Sequence, residues 1–520
     1  MSIKMTKLRA AGKTERRCIM RQELGYYHNL VITAKYSFDA AEGLKVTPET
    51  FFPALKFCIA THPILSCSIS GSETEAPVWI RPETVDLRNN VKIVHPESLK
   101  ADPKDGLAQL QEALAEELDE HYPFLPNVLP WKIVVLPIVQ QKGEYYIIFS
   151  TSHAHGDGQS GLAFHETFLR GLNASTTPDL NPLVTAPSDP LLPPLDATPM
   201  PISWSFLLGP LLGTYLPSPI ASALGIPREI NPSSPDMWRA TPYTYDPSNF
   251  HTSLSLIVIP APILTAVLQA CRAHDTKLTG LLHQLVVRAL SAVIPDEPEK
   301  GKAAGSFGAQ SPINLRRMIP SVSNHEMAVL TNAAFEIFPR MSPSEAQSPP
   351  SSESVVTEAM WAAARSTSAK LAATASTLSD QPVGLLKYLA HFRMWLTKHI
   401  GKERDCSYEL TNVMAFDPGE AEAGKWKLGR TLMVQPASAT GAPISFAVAS
   451  RKGGEMVVAA SWQKGVLGLE GDEGVIVGVI GERVRGDLER LAEEQIGCEG
   501  FGSCRWGTRG PLGDANGREQ

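Results

Sequence analysis

From Ser152 to Gly158 the chain reads Ser-His-Ala-His-Gly-Asp-Gly, so two histidines, an aspartate and two glycines fall within six residues. Histidine is the side chain whose ordinary pKa lets it strip a proton from a hydroxyl near neutral pH. If that hydroxyl then attacks a carbonyl, charge gathers on the carbonyl oxygen and needs donors aimed at it. Glycines after the histidine allow a tight turn at such a place. The aspartate four residues on, Asp157, can either hold the imidazole or anchor the loop through an ion pair, and spacing alone leaves both open. A lone histidine at a strand end is ordinarily just a satisfied polar residue. The density of His, Asp and Gly at one strand-to-helix junction, where functional side chains tend to be displayed, makes His153 a candidate base.

The flanking segments predict how these residues are held. Two β-rich runs, 131–139 and 145–150, are separated by the turn residues Gln140-Gln141-Lys142-Gly143, and the second delivers the chain to His153. After Gly158, the positions of Leu162, Phe164 and Phe168 predict a helix. Upstream, 28–38 reads as a strand, 49–61 as a helix and 105–121 as a strongly amphipathic helix. Eight prolines between Pro178 and Pro201 exclude regular structure and mark an interdomain linker. A second unit starts near Ser253 with a strand and the buried helix TKLTGLLHQLVVRALSAVI. Helices are expected at 355–373 and 383–400, strands at 408–415, 430–435, 443–450 and 455–462, and a closing helix through Arg490. The class is mixed α/β, in two sandwich-like halves.

Composition narrows the function. A chain of 520 residues with 43% hydrophobic and 19% charged side chains exceeds one ordinary core, so two domains are expected. A net charge of −7 leaves no basic excess to answer the phosphates of a nucleic acid. The seven cysteines lack zinc-site spacing and disulfide density, and read as reduced thiols. The N-terminal run MSIKMTKLRAAGKTERR has no apolar core and is not a signal peptide, which points to a cytoplasmic protein. The apolar stretch 201–227 contains Pro201, Pro210, Pro217, Pro219 and Pro227, too many for a spanning helix. It is expected as an irregular segment packed on the core, with peripheral membrane contact as the alternative.

The hexapeptide His153-Ala154-His155-Gly156-Asp157-Gly158 is similar to the HxxxDG motif of the CoA-dependent acyltransferase superfamily, which includes chloramphenicol acetyltransferase, plant BAHD enzymes and peptide-synthetase condensation domains. Leu24-Gly25-Tyr26-Tyr27-His28-Asn29, Thr61-His62-Pro63-Ile64-Leu65, Leu278-Thr279-Gly280-Leu281-Leu282-His283 and Pro312-Ile313-Asn314-Leu315-Arg316-Arg317 resemble, in order, segments of the fungal alcohol acetyltransferase branch. The plant motif DFGWG is absent, and Gly424-Lys425-Trp426-Lys427-Leu428-Gly429 is a loose stand-in.

This resemblance implies an α/β (α+β sandwich) fold of two chloramphenicol acetyltransferase-like halves around a central tunnel, sufficient as a monomer. Residues 1–177 would form the N-terminal half, 178–250 a proline-rich linker and crossover, 251–496 the C-terminal half and 497–520 a flexible tail. His153 and Asp157 would be the catalytic-motif residues, His153 as general base and Asp157 mainly structural, paired with Arg316. Gly158 and Arg316 would support the site, and Asn412, in a segment where relatives carry a polar group, could contact the oxyanion. The implied donor is acetyl-CoA or another acyl-CoA, with no bound cofactor or metal, and the acceptor a small alcohol. An amine acceptor and a carrier-protein donor stay open. A rival reading is a zinc hydrolase of the metallo-β-lactamase type, whose HxHxDH motif the hexapeptide resembles, but Gly158 stands where that motif needs a ligand. His155, His165, His62 and His283 are expected to be structural.

Overall fold

A computed structural model describes residues 4–500 apart from 39–45, 96–105, 127, 175–178, 216–219, 221–232, 298–303, 321, 348–352 and 420–424. Two sheets organise a mixed α/β fold of two lobes, in keeping with the fold class expected above. The first runs in the order Trp426–Val434, Asn29–Phe38, Glu144–Ser152, Trp131–Pro137, Val91–Ile93. Its central strands are apolar on both faces because both are covered. Ile32, Ile133, Ile147 and Phe149 pack against the helices Pro48–Thr61 and Gly158–Ala174. The alternate residues Val31, Val134 and Ile148 meet Leu110, Leu114 and Leu118 of the helix Leu107–Asp119. Phe149 stacks on Phe164 at 3.7 Å, which fixes the helix following the motif onto the strand preceding it.

The second sheet runs Met237–Trp238, Ser306–Asn314, Tyr408–Phe416, Ile444–Arg451, Met456–Gln463, Thr252–Ile259, with Thr331–Pro339 paired antiparallel to Ser306–Asn314. Its core side is closed by the helices Ala261–Ala273, Leu278–Val293 and Glu473–Gly500. The lobes share a core: Leu254, Val457 and Ala459 of the second sheet lie in one cluster with Val31 and Leu114 of the first lobe.

Several expectations are corrected. Residues 251–496 do not form one half, because Trp426–Val434 leaves the second lobe and pairs with Asn29–Phe38, Trp426 opposite Phe38 and Val434 opposite Val31. The cause is aromatic: Trp426 is 5% exposed and packs against Tyr36, Phe38, Phe51 and Tyr145. The strand also covers what would otherwise be an open sheet edge. The span 178–250 is not merely a linker, since Leu183–Thr185 pairs with Thr84–Asp86 and Met237–Trp238 joins the second sheet. The closing helix continues past Arg490 to Gly500, and the rest of 497–520 lies outside the described residues.

The expected helix 383–400 is broken into a 3-10 segment, Pro382–Tyr388, and a short helix, Phe392–Thr397. A distant carboxylate causes the break: Glu75 accepts the backbone N–H of Phe392 at 2.8 Å and of Arg393 at 3.1 Å, starting a new helix there. In the stretch 201–227, Trp204–Tyr215 is helical rather than irregular, begun by Ser203, whose hydroxyl accepts the N–H of Phe206. Trp204 is 76% exposed there instead of packed on the core. Among the described residues, no helix is long and apolar enough to cross a membrane.

Replacing the buried crossover tryptophan by alanine, Trp426→Ala, should cost about 3–5 kcal/mol. The exposed Trp204→Ala should stay within about 0.5 kcal/mol. Urea denaturation of both variants checks this, and equal losses would refute the account of the crossover.

Candidate active site

His153 follows the strand Glu144–Ser152, whose end is locked on both sides. Ser152 lies opposite Asn29 in the sheet, its hydroxyl meets Gln22 Oε1 at 2.5 Å and accepts the N–H of Ala154 at 3.2 Å. The carbonyl of Ser152 accepts the N–H of His155 at 2.9 Å, so the chain turns at once. The helix Gly158–Ala174 then leads away. Gly156 and Gly158 are needed for close approach: a methyl group at 156 would sit 2.5 Å from Ser160 Cβ, and one at 158 would sit 2.7 Å from both Met433 Sδ and Val413 Cγ1. The second of these glycines thus lets two strands from later in the chain close over the motif.

The imidazole of His153 is half-buried. Its Nδ1 lies 2.9 Å from the carbonyl oxygen of Gly156, which can only accept, so Nδ1 carries the proton. Nε2 is left with a free lone pair, with no hydrogen-bond partner among the described residues. Burial, reinforced by the nearby positive charge of Arg21, pushes the pKa of His153 down to about 4, so the ring is neutral at physiological pH.

Asp157 does not touch the imidazole nitrogens. Its carboxylate is 2% exposed and Arg316 is fully buried. The two are joined by parallel bonds, Nη1 to Oδ2 at 2.8 Å and Nη2 to Oδ1 at 2.9 Å. Asp157 also accepts the N–H of Ser160 and of Leu330, both at 3.0 Å. Burial alone would raise its pKa, but the Arg316 charge and these donors outweigh burial and hold the carboxyl below its ordinary value. Arg316 also donates to the Ser160 hydroxyl at 3.0 Å and to the backbone carbonyls of Ala328 at 2.9 Å and Glu326 at 3.2 Å. Asn314 orients the arginine by accepting its backbone N–H at 3.0 Å.

The other histidines point elsewhere. His155 Nε2 meets the carbonyl of Cys67 at 3.0 Å and its ring packs edge-on against Trp79. His165 lies between Tyr36 and the carbonyl of Ile32. His62 bonds Thr167, and His283 bridges Tyr408 and Ser311. With His155 turned away and Asp157 saturated by Arg316, the hexapeptide does not converge on a common point as a dinuclear zinc site requires.

His153, Asp157 and Gly158 open onto a cavity of about 610 Å³ whose walls come from both lobes. Asn412 is in the same wall, but its Nδ2 donates to Thr279 at 3.0 Å and its Oδ1 accepts the N–H of Met414 at 2.8 Å. Lining residues that the motif analysis missed include Arg17, Arg21, Tyr27, Gln310, Glu409 and Gln435. Tyr27 lies 5.5 Å from the His153 ring, centroid to centroid. For the two arginines a signal was present: at positions 17 and 21 they share one face of the helix Lys13–Glu23.

A model of the alcohol acetyltransferase family matches residues 116–478. A protein of Aspergillus fumigatus named probable alcohol acetyltransferase crmB is 24% identical over 478 residues, which is 88% of this chain and 95% of that one. Probable alcohol acetyltransferase FCK4 of Fusarium pseudograminearum is 24% identical over 429 residues, 80% of this chain and 81% of its own. The solved structure of the TRI3 trichothecene 15-O-acetyltransferase of Fusarium sporotrichioides superposes with a TM-score of 0.64 over 94% of this chain and 95% of that one, at 12% identity. The condensation domain of the monacolin K polyketide synthase MokA superposes at 0.54 over 95% and 98%, at 10% identity. At such identities the superpositions bear on the fold alone.

Removing either partner of the Asp157–Arg316 pair strands a buried charge, so Asp157→Asn and Arg316→Met should each cost about 3–5 kcal/mol. The double variant should lose clearly less than the two together. Denaturation of the three proteins measures this; strictly additive losses would mean that the residues do not depend on each other.

Proposed function

Because the chain belongs to the alcohol acetyltransferase family and is an O-acyltransferase, we propose that it moves an acyl group, acetyl in the simplest case, from acyl-CoA onto the hydroxyl of a small acceptor, with His153 as general base. The observation that carries this is the free Nε2 of a neutral, cavity-lining imidazole whose Nδ1 is tied to the Gly156 carbonyl. Nε2 takes the acceptor's hydroxyl proton as its oxygen attacks the thioester carbonyl. The tetrahedral intermediate collapses, the C–S bond breaks, and the proton passes from Nε2 to the departing thiolate, giving an ester and free CoA. Asn412 has one amide hydrogen beyond its bond to Thr279, and we assign it as the candidate donor to the oxyanion.

Asp157 and Arg316 act on this chemistry only through the position of the loop. The protein would work as a monomer on soluble acyl-CoA and alcohol, since both lobes of one chain wall the cavity. A ping-pong route through an acyl-enzyme has little support: the hydroxyl nearest in sequence to His153, Ser152, is held by Gln22, and burial raises the pKa of the thiols among the described residues, Cys18 and Cys67 included.

His153→Ala should lower turnover about 10²–10⁴-fold while leaving the folded circular-dichroism spectrum intact. Near-normal turnover in a folded variant would end the general-base reading. The active form is the neutral ring, which exists above its folded pKa. Since that pKa is pushed down to about 4, kcat/KM should stay level as pH falls through the ordinary histidine range and decline only as it nears that value. A midpoint at the ordinary histidine pKa would contradict it.

A further inference from the structure

The helix Lys13–Glu23 turns Arg17 and Arg21 into the catalytic cavity. Neither meets a carboxylate. Among the described residues the Arg17 guanidinium makes no hydrogen bond or ion pair, and its Nε is buried without a partner. Arg21 stacks on the Tyr27 ring at 4.2 Å and donates to the Ser438 hydroxyl at 2.8 Å, leaving its own Nε unpartnered. Two like charges one helical turn apart repel each other. Burial, and then the neighbouring Arg17, press the pKa of Arg21 below its ordinary value.

The acids within reach are otherwise engaged. Glu409 accepts from Gln310 at 2.8 Å, from Gln435 at 2.5 Å and from Thr411 at 2.9 Å. Asp157 is saturated by Arg316, and Asp405 sits exposed at the rim, where water screens it. The cavity therefore presents two forked cations against one carboxylate, Glu409, that bonds neither of them, an arrangement that leaves room for a planar anion supplied by a ligand.

Position identifies which part of the reaction carries that anion. Arg21 is 4.2 Å from the Tyr27 ring, and that ring is 5.5 Å from His153, so a single ring separates cation from base. The phosphates of CoA lie a whole pantetheine arm from the thioester, and an acetyl group is neutral. We propose that Arg17 and Arg21 form a carboxylate subsite and that the acceptor is a hydroxy acid, its acid group about one ring's width from the reacting hydroxyl. This rests on the acyl-transfer reading above.

The test uses p-(hydroxymethyl)benzoate and its methyl ester, in which one methyl group removes the charge, with the full chain in calorimetric titration and in transfer from acetyl-CoA. The acid should bind in preference to the ester. Arg17→Gln, which removes a side chain that bonds nothing in the fold, should cut that preference roughly 10- to 100-fold. Arg17→Lys should fall between, because it keeps the charge but not the fork. Equal binding of acid and ester, binding of neither, or an equal loss of both in Arg17→Gln overturns the subsite. So does displacement of the acid by phosphoadenosine diphosphate, the nucleotide end of CoA, which would put CoA's own phosphates on the arginines. Parallel assays with simple alcohols separate the two ideas. Transfer to them without preference for the acid removes the subsite and leaves His153 as base. Preference in binding without any transfer removes the acyl-transfer reading, and the hydroxy-acid acceptor with it.

Discussion

A buried guanidinium ties the two lobes together, and the loop that carries His153 hangs on it. Arg316 begins the 3-10 turn just after the strand Ser306–Asn314 of the second sheet, while Asp157 ends the turn that follows a strand of the first. Between them they bind Ser160, Leu330, Ala328 and Glu326, so one ion pair gathers the turn, the helix after it and the approach to the strand Thr331–Pro339. An unpaired charge in that setting would be severely destabilising, which is why the pair tolerates little movement. What it secures is mainly geometric. The loop has one arrangement in which both carboxylate oxygens are answered, and that arrangement points His153 into the cavity.

Assigning the aspartate to the fold changes what the histidine can be. In a Ser-His-Asp triad an acid beside the imidazole raises its basicity and holds its tautomer. Here the tautomer is held by a neutral carbonyl, that of Gly156, and no carboxylate bonds the ring. The neighbouring charge with the largest influence is the cation of Arg21, which lowers basicity. The ring is therefore weakly basic and almost wholly neutral at physiological pH. Such a base suits an alcohol, whose proton becomes acidic only as its oxygen bonds to carbon.

The sequence carried the local features well and the long-range ones poorly. The strand leading to His153 and the helix after Gly158 follow from alternation and helical spacing, and both lie where expected. The Asp157–Arg316 pair spans 159 positions and no periodicity points to it; only the order of motif-like segments brought the two residues together. The crossover strand was legible as a strand but not as a guest in the other lobe, because its partner is chosen by an aromatic cluster assembled from Tyr36, Phe38 and Phe51. The helix break near His391 is set by Glu75, more than three hundred residues away. The cavity arginines are legible only as positions four apart in a basic N-terminal run, and nothing local to that run shows that its shared face lines a cavity.

The crossover strand also explains how the cavity is roofed so closely over the motif. It brings Met433 against Gly158, where the second sheet brings Val413. Beyond Val413 the strand Tyr408–Phe416 slips register between Asn412 and Ala415. Met414, at φ 73°, holds a left-handed conformation that is uncommon for a non-glycine residue, steadied by Asn412 accepting its N–H at 2.8 Å. The bulge turns Met414 into the cavity lining while 65% of it stays exposed. Such local strain persists only where surrounding contacts enforce it, and here they include Asn412, which lies in the same cavity wall. The far wall of the cavity is thus built from a bulge, a guest strand and the first helix, whereas the His153 loop rests on a turn, one ion pair and the bond between Ser152 and Gln22. Arg17 and Met414 take no part in those supports, so their side chains can differ in chemistry without disturbing the position of His153.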